Sequence, residues 1–378
     1  MKQREYAYDN LKFLLIIFVI AAHFSDFYTG LEADGFSELS AAARGMYGAI
    51  CIFVMPAFVF VSGLFAKSAL SDRTRALKKA GEFLFLYVLC KAFLGLPSMI
   101  LRRTLDFDLF SESGIPWFMI CMAWWFLATW ILKRFILSDN LRTENENYAG
   151  AQTVQNTPQI KTRNIAIIFA GNTALACVLG YTNIVGDFLC LSKMIVFYPF
   201  FLAGYCLDAK ELIAGVQKPV HRIAGTAGLL LLALTAVLQP EFLYALRPIL
   251  NGRGNAYAQA AENFTGIFAR FVDPAFGAFW RLAYYAVAAF MIYCLLAVIP
   301  RKKLPTSVFG SRTLQVYFLH YIFLYPLKIV PVVEKMQALL PTWVCMIFIL
   351  AVSVGLAALL SLRFVTAAFN RVVRLGKA

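Results

Sequence analysis

The sequence predicts an all-α integral membrane protein, a bundle of about ten transmembrane helices with both termini on the cytoplasmic side. Three observations carry this reading. Apolar runs of about 18–25 residues recur along the chain, the length needed to cross roughly 30 Å of hydrocarbon. Of its 378 residues 61% are hydrophobic and only 15% charged, whereas a soluble domain carries about a quarter charged residues. Finally, the basic residues gather in alternate loops. The apolar runs are continuous, not alternating, which argues against a β-barrel.

The expected spans are, in order, 10–28, 45–66, 80–100, 115–137, 164–181, 188–207, 220–239, 276–299, 313–332 and 341–363. With the N-terminus inside, 24 of the 35 Lys and Arg residues fall in cytoplasmic segments or the cytoplasmic ends of spans and 7 in outer loops, the other four lying deeper within spans. This is the bias that orients membrane helices, and the opposite orientation or an odd number of spans would spoil it. Residues 1–378 read as one polytopic domain, because the bilayer covers the outer surface of such a bundle. Two loops are long. Residues 138–163 are polar and read as a flexible cytoplasmic linker. Residues 240–275, with Arg247, Arg253, Glu262, Arg270, Asp273 and several glycines, read as an outer loop, either a connector or a lid or acceptor-binding element.

The net charge of +14 does not point to nucleic acid, since the basic residues follow the topology and no aromatic–basic interleaving occurs. All eight cysteines lie in apolar stretches without CxxC or metal-ligand spacing, and read as small buried hydrophobes. The first apolar run lacks a small-residue cleavage site and is expected to be retained. No GxSxG, Walker, HExxH or GxGxxG context is present, and no internal repeat suggests an inverted-repeat transporter.

The first span carries the densest chemistry. At 100° per residue, the 11 residues from Lys12 to His23 make three turns plus about 20°, so the two share a face roughly 16 Å apart along the axis. Asp9 lies about 60° to one side and Asp26 about 40° to the other. Four ionisable side chains thus form one stripe on an oily helix, which is costly in lipid unless it faces a bundle interior or a wet cavity. Lys12 and Asp9 fit a cytoplasmic interface. His23 fits either an interhelical hydrogen bond or a general base deep in a polar cavity.

The opening REYAYDNLKFLLIIFVIAAHF resembles the start of the membrane-bound acyltransferase-3 family, and more narrowly its branch related to fucose 4-O-acetylases. Lys12 and His23 match that family's basic residue, ten residues and histidine. MPAFVFVSGLFAK (55–67), IPWFMICMAWWFLATWIL (115–132), LSKMIVFYPFFLAGYCL (191–207) and TLQVYFLHYIF (313–323) are similar to later family segments in the same order. The chain departs from the branch at Val54, where a histidine is usual, and at Arg75-Ala-Leu-Lys78, which stands for an Arg-x-x-Arg element. It departs again at Lys193, where arginine is usual; lysine keeps the charge and loses the bidentate fork.

The resemblance implies transfer of an acyl group, commonly acetyl from acetyl-CoA, to a hydroxyl of a cell-surface or lipid-linked glycan, in a bacterial plasma membrane. It implies His23 as the general base or a coupled proton-transfer group, with Asp26 or Asp9 orienting a polar partner. Lys12, Arg75, Lys78 and Lys79 are candidates for the CoA phosphates, although a short cytoplasmic loop carries such charges for topology alone. Lys193 and His320, with Asp9, are candidates for substrate contacts, and snorkelling accounts for Lys193 equally well. Lys91 and Arg281 line the cavity or reach an interface. Tyr317 and Trp117 read as packing residues, and Ser62 as a close helix contact. The expected partners are an acyl-CoA donor, a hydroxyl acceptor and the bilayer, with no metal and no nucleic acid. The alternative is a transporter or flippase of a polar or anionic solute using the same intramembrane charges.

Overall fold

The computed structural model describes residues 5–31, 35–102, 108–111, 114–136, 162–264 and 273–375. These form α1 (Tyr6–Asp26), α2 (Ser37–Leu64), α3 (Arg73–Arg102), α4 (Trp117–Ile136), α5 (Thr162–Leu179), α6 (Leu191–Cys206), α7 (Ala209–Val216) and α8 (Pro219–Leu238). The short helices α9 (Pro240–Ala245), α10 (Arg247–Leu250) and α11 (Ala256–Asn263) follow. The chain continues with α12 (Gly277–Val298), α13 (Ser307–Gly310), α14 (Thr313–Ile329), α15 (Val332–Gln337), α16 (Thr342–Leu360) and α17 (Arg363–Leu375). Among the described residues there is no strand, only an isolated bridge between Ser111 and Phe188. The expected linker at 138–163 lies, apart from its last two residues, outside the described residues.

Six described helices are long and apolar enough to cross a membrane: α1, α2, α5, α8, α12 with the 3-10 turn before it, and α16. A seventh span arises if α6 and α7, bent by 93°, count as one. The bend falls where Asp208 caps α7, its carboxylate accepting from the backbone N–H groups of Lys210 and Glu211 at 2.8 and 3.1 Å. α3 also covers the expected span 80–100, and α4 covers 117–136 of the expected span 115–137. The expected span 313–332 ends early, at Ile329, because Pro331 brings no N–H to extend the ladder and clashes with the preceding turn.

Burial sorts the helices into inner and outer ones. In α2 83% of the apolar window is buried and in α1 72%, against 11% in both α5 and α8. The outward faces of those two carry Ile167, Leu175 and Val178, and Val220, Ile223 and Val237, all exposed in the isolated chain. Such a surface is what a lipid-facing helix presents.

The inner layer is held by glycine contacts. A Cβ on Gly63 would stand 2.0 Å from the Phe201 carbonyl oxygen, and one on Gly204 2.0 Å from that of Phe60. α2 and α6 therefore touch backbone to backbone, the small-residue packing that replaces the hydrophobic effect between helices in lipid. Ser62 beside Gly63 turns its hydroxyl to the Phe58 carbonyl of its own helix, 2.8 Å away.

The loop at 240–275 is folded into the bundle where it is described. Arg281 of α12, fully buried, donates to the Ile249 carbonyl. Tyr284 donates to the Leu250 carbonyl at 3.3 Å, and Ser192 of α6 to the Gly252 carbonyl at 2.9 Å. Gly252 sits at φ +66°, a left-handed conformation that glycine adopts without steric cost. This segment is a plug packed against α6 and α12 at one end of the bundle.

Candidate active site

The plug leaves beneath it a cavity of about 1010 Å³ at the Asp26 end of α1. His23, Asp26 and Phe27 of α1 and Tyr47 and Cys51 of α2 form one wall. α4 contributes Trp117, α6 Lys193, α14 Tyr317, Tyr321 and Lys328, and the plug Arg247, Asn251 and Arg253.

The helical stripe decides which side chains reach the cavity. His23 and Asp26 are one turn apart and so share a face. The His23 ring packs against Tyr321 of α14 at 5.9 Å and against His320 at 5.2 Å between centroids. His320 stands behind this wall, completely buried. Its Nδ1 lies 2.8 Å from the Tyr317 carbonyl oxygen and 3.2 Å from that of Val316. A carbonyl only accepts, so Nδ1 carries a proton, and in the neutral ring Nε2 is then the acceptor. That buried Nε2 meets no hydrogen-bond partner among the described residues.

Asp26 faces the plug, with a carboxylate oxygen 3.6 Å from Nη1 of Arg247. The same guanidinium lies over the rings of Tyr47 and Tyr244 at 5.3 and 5.5 Å and donates to the Tyr244 hydroxyl at 2.6 Å. Lys193 lies over the Trp117 ring at 5.4 Å. It reaches that position because Leu189 and Cys190, at φ +45° and +55°, swing the chain into α6. Residues other than glycine seldom adopt this conformation. Trp124 and Trp125 of α4 then donate to the carbonyls of Leu189 and Met194, at 3.2 and 2.9 Å. The Trp-rich segment of α4 is thus what fixes the start of α6. Lys91 of α3 caps the rim, donating to the carbonyls of Asp108 and Ser111.

His23, Asp26 and Lys193 therefore meet on one cavity, with His320 behind His23. The other expected site residues lie apart from it. Lys12 and Asp9 form an ion pair of 3.0 Å near the Tyr6 end of α1, with Lys12 also over the Phe65 ring. Arg75 pairs with Asp72 at 3.1 Å and Lys79 with Glu82 at 3.0 Å, while Lys78 is exposed, all in the first turns of α3. Arg281 does not line the cavity; it holds the plug. Trp117 and Tyr317, read from the sequence as packing residues, both line it.

A family model described as an acyltransferase domain, the third of that series, matches residues 5–362, nearly the whole chain. The chain belongs to the acyltransferase-3 family. Searches among curated proteins and among solved structures gave no match. Family membership and the apolar helices together make the chain a multi-pass membrane acyltransferase in general terms. They give no support to the transporter alternative.

Proposed function

We propose that this acyltransferase-3 protein moves an acetyl group from acetyl-CoA to a hydroxyl of a cell-surface or lipid-linked glycan. The observation that carries the reading is His23, a titratable imidazole on the wall of the large cavity, on a helix whose other buried residues are mostly apolar. An imidazole is suited to take a proton from a hydroxyl near neutral pH. In this reaction His23 accepts the acceptor's O–H proton as the oxygen attacks the thioester carbonyl carbon. The C–S bond then breaks, and the CoA thiolate leaves and takes up that proton, giving an acetyl ester and free CoA.

His320 acts through His23. Its unprotonated Nε2 serves, during the reaction, as acceptor for the one N–H of neutral His23, which leaves the other His23 nitrogen unprotonated toward the cavity to take the hydroxyl proton. Asp26 serves the acceptor side by orienting Arg247.

The charge asymmetry of the loops favours ten spans with both termini in the cytoplasm. In that topology the Tyr6 end of α1 faces the cytoplasm, where CoA is made, and the cavity opens toward the outer leaflet. Lys12, Arg75, Lys78 and Lys79 then form the donor mouth for the CoA phosphates. The Arg75–Asp72 pair is exposed and contributes little, so a phosphate can displace it; Lys12 and Lys79 are held by carboxylates that are mostly buried. The roughly 16 Å rise from Lys12 to His23 is bridged by the flexible arm of CoA. A glycan acceptor, a plasma-membrane location and an acetyl donor rest on the resemblance to the fucose 4-O-acetylase branch.

The test is label transfer from radiolabelled acetyl-CoA by protein in nanodiscs supplied with cell-envelope extract. Transfer by the wild type, with a raised KM for acetyl-CoA when Arg75, Lys78 and Lys79 are all changed to Gln, supports the reading. An unchanged KM removes the donor mouth from it.

A further inference from the structure

The cavity selects a charge as well as a shape. Among the described residues five basic side chains line it against two carboxylates. Within that set Lys91 and Asp108 serve the rim itself: Lys91 holds the Asp108 and Ser111 carbonyls, and the Asp108 carboxylate accepts from the N–H groups of Phe110 and Ser111 at 2.8 and 3.2 Å. Among the described residues four cations remain, Lys193, Arg247, Arg253 and Lys328, against the carboxylate of Asp26.

Three of the four are mounted on aromatic faces: Lys193 on Trp117, Arg247 on Tyr47 and Tyr244, and Lys328 on Phe27 at 5.6 Å. This mounting keeps the charge while fixing the direction of the donors. The four come from three separate elements, α6, the plug and α14, so no single stretch of sequence or topogenic loop accounts for their convergence. A cleft lined by one sign of charge, with low-dielectric walls, concentrates ligands of the opposite sign. Guanidinium and ammonium groups together suit a carboxylate or a phosphate.

We infer that the acceptor is anionic, a glycan carrying a carboxylate or a phosphate next to the hydroxyl that is acetylated. The inference rests on the acyltransferase reading and adds the substrate class to it. The anion docks against Arg253, Lys328 and Arg247, which sets the neighbouring hydroxyl beside His23.

The experiment has two arms. In the first, label is transferred from radiolabelled acetyl-CoA to cell-envelope extract, and the product is passed over an anion exchanger at neutral pH. Retained label, released by salt, is the expected result; label in the flow-through overturns the inference. The double variant Arg253→Gln/Lys328→Gln is expected to raise the acceptor KM roughly ten- to hundredfold, as for lost hydrogen bonds to a charged group, without moving the KM for acetyl-CoA. A rise in the acetyl-CoA KM instead would assign these cations to the donor and overturn the inference. The second arm needs no turnover, so it separates this inference from the acyltransferase reading. Thermal unfolding of the purified protein is followed with glucuronate, glucose 1-phosphate or neutral glucose. Stabilisation by either anion but not by glucose, lost in the double variant, supports the site, and the stronger of the two distinguishes carboxylate from phosphate. Equal response to all three contradicts it.

Discussion

The imidazole of His320 lies 5.2 Å from that of His23, centroid to centroid and inclined by 36°, with its own Nδ1 tied to the Tyr317 carbonyl. One histidine faces the cavity and the other is sealed behind it. This division of labour makes a graded prediction. His320→Phe keeps a ring in the buried site and removes the acceptor, and is expected to lower kcat by about 10- to 100-fold, as loss of an orienting partner does at other histidines. His320→Gln supplies an acceptor oxygen and is expected to recover part of that loss. Equal activities in the Phe and Gln variants would reduce His320 to packing. The pH profile of kcat is the second readout, and it should move in the Phe variant only if His320 tunes His23.

The contact of α2 with α6 is predicted to tolerate no side chain. Gly63→Ala and Gly204→Ala each bring a methyl group 2.0 Å from a backbone carbonyl oxygen, so the helices must separate. Overpacking of this kind costs about 1–3 kcal/mol or more. A lowered midpoint of thermal unfolding in detergent checks this. Gly95→Ala, where a Cβ meets nothing within 4 Å, is the matched control.

Tyr317 links the histidine wall to the cavity roof, its hydroxyl donating to the Ile115 carbonyl at 2.6 Å. Tyr317→Phe leaves that carbonyl without this donor, at a cost of about 1–3 kcal/mol, and loosens the segment that carries Trp117. The expected result is a rise in acceptor KM larger than the fall in kcat, measured by steady-state kinetics.

Topology is open to direct labelling. Cysteine introduced in place of Arg253 is expected to react with an impermeant maleimide from outside intact cells. Cysteine in place of Lys210 is expected to react only after permeabilisation. The reverse pattern would turn the bundle over and place the cavity on the cytoplasmic side. The unsubstituted chain is the background, since its cysteines are all free but lie in apolar segments.

Much of this was legible in the sequence, for reasons of geometry. The 3.6-residue period alone puts His23 and Asp26 on one face of α1, and hydropathy locates helices where spans were expected, of which six, or seven with the bent pair, are long and apolar enough to cross a membrane among the described residues. Charge in the 240–275 loop hinted at a ligand-facing element, and Arg247 and Arg253 do line the cavity. What stayed hidden depends on tertiary contacts. No spacing announces that Tyr47 of α2 lies under Arg247, or that Lys328 and Lys193 face one cavity from different helices. Arg281 looked like a cavity residue because a charge in a span needs a reason; its reason is the Ile249 carbonyl of the plug. The stripe from Lys12 to His23 reads as one site on a helical wheel, yet its ends are separated by three turns, and only the His23 end opens on the cavity.

The most direct test of the account is the rate at which purified protein in nanodiscs consumes acetyl-CoA in the presence of cell-envelope extract, wild type against His23→Ala. The account predicts turnover by the wild type and a fall of about 10²–10⁴-fold in the variant, with the same gel-filtration profile for both. Undiminished turnover in a folded His23→Ala protein would contradict it.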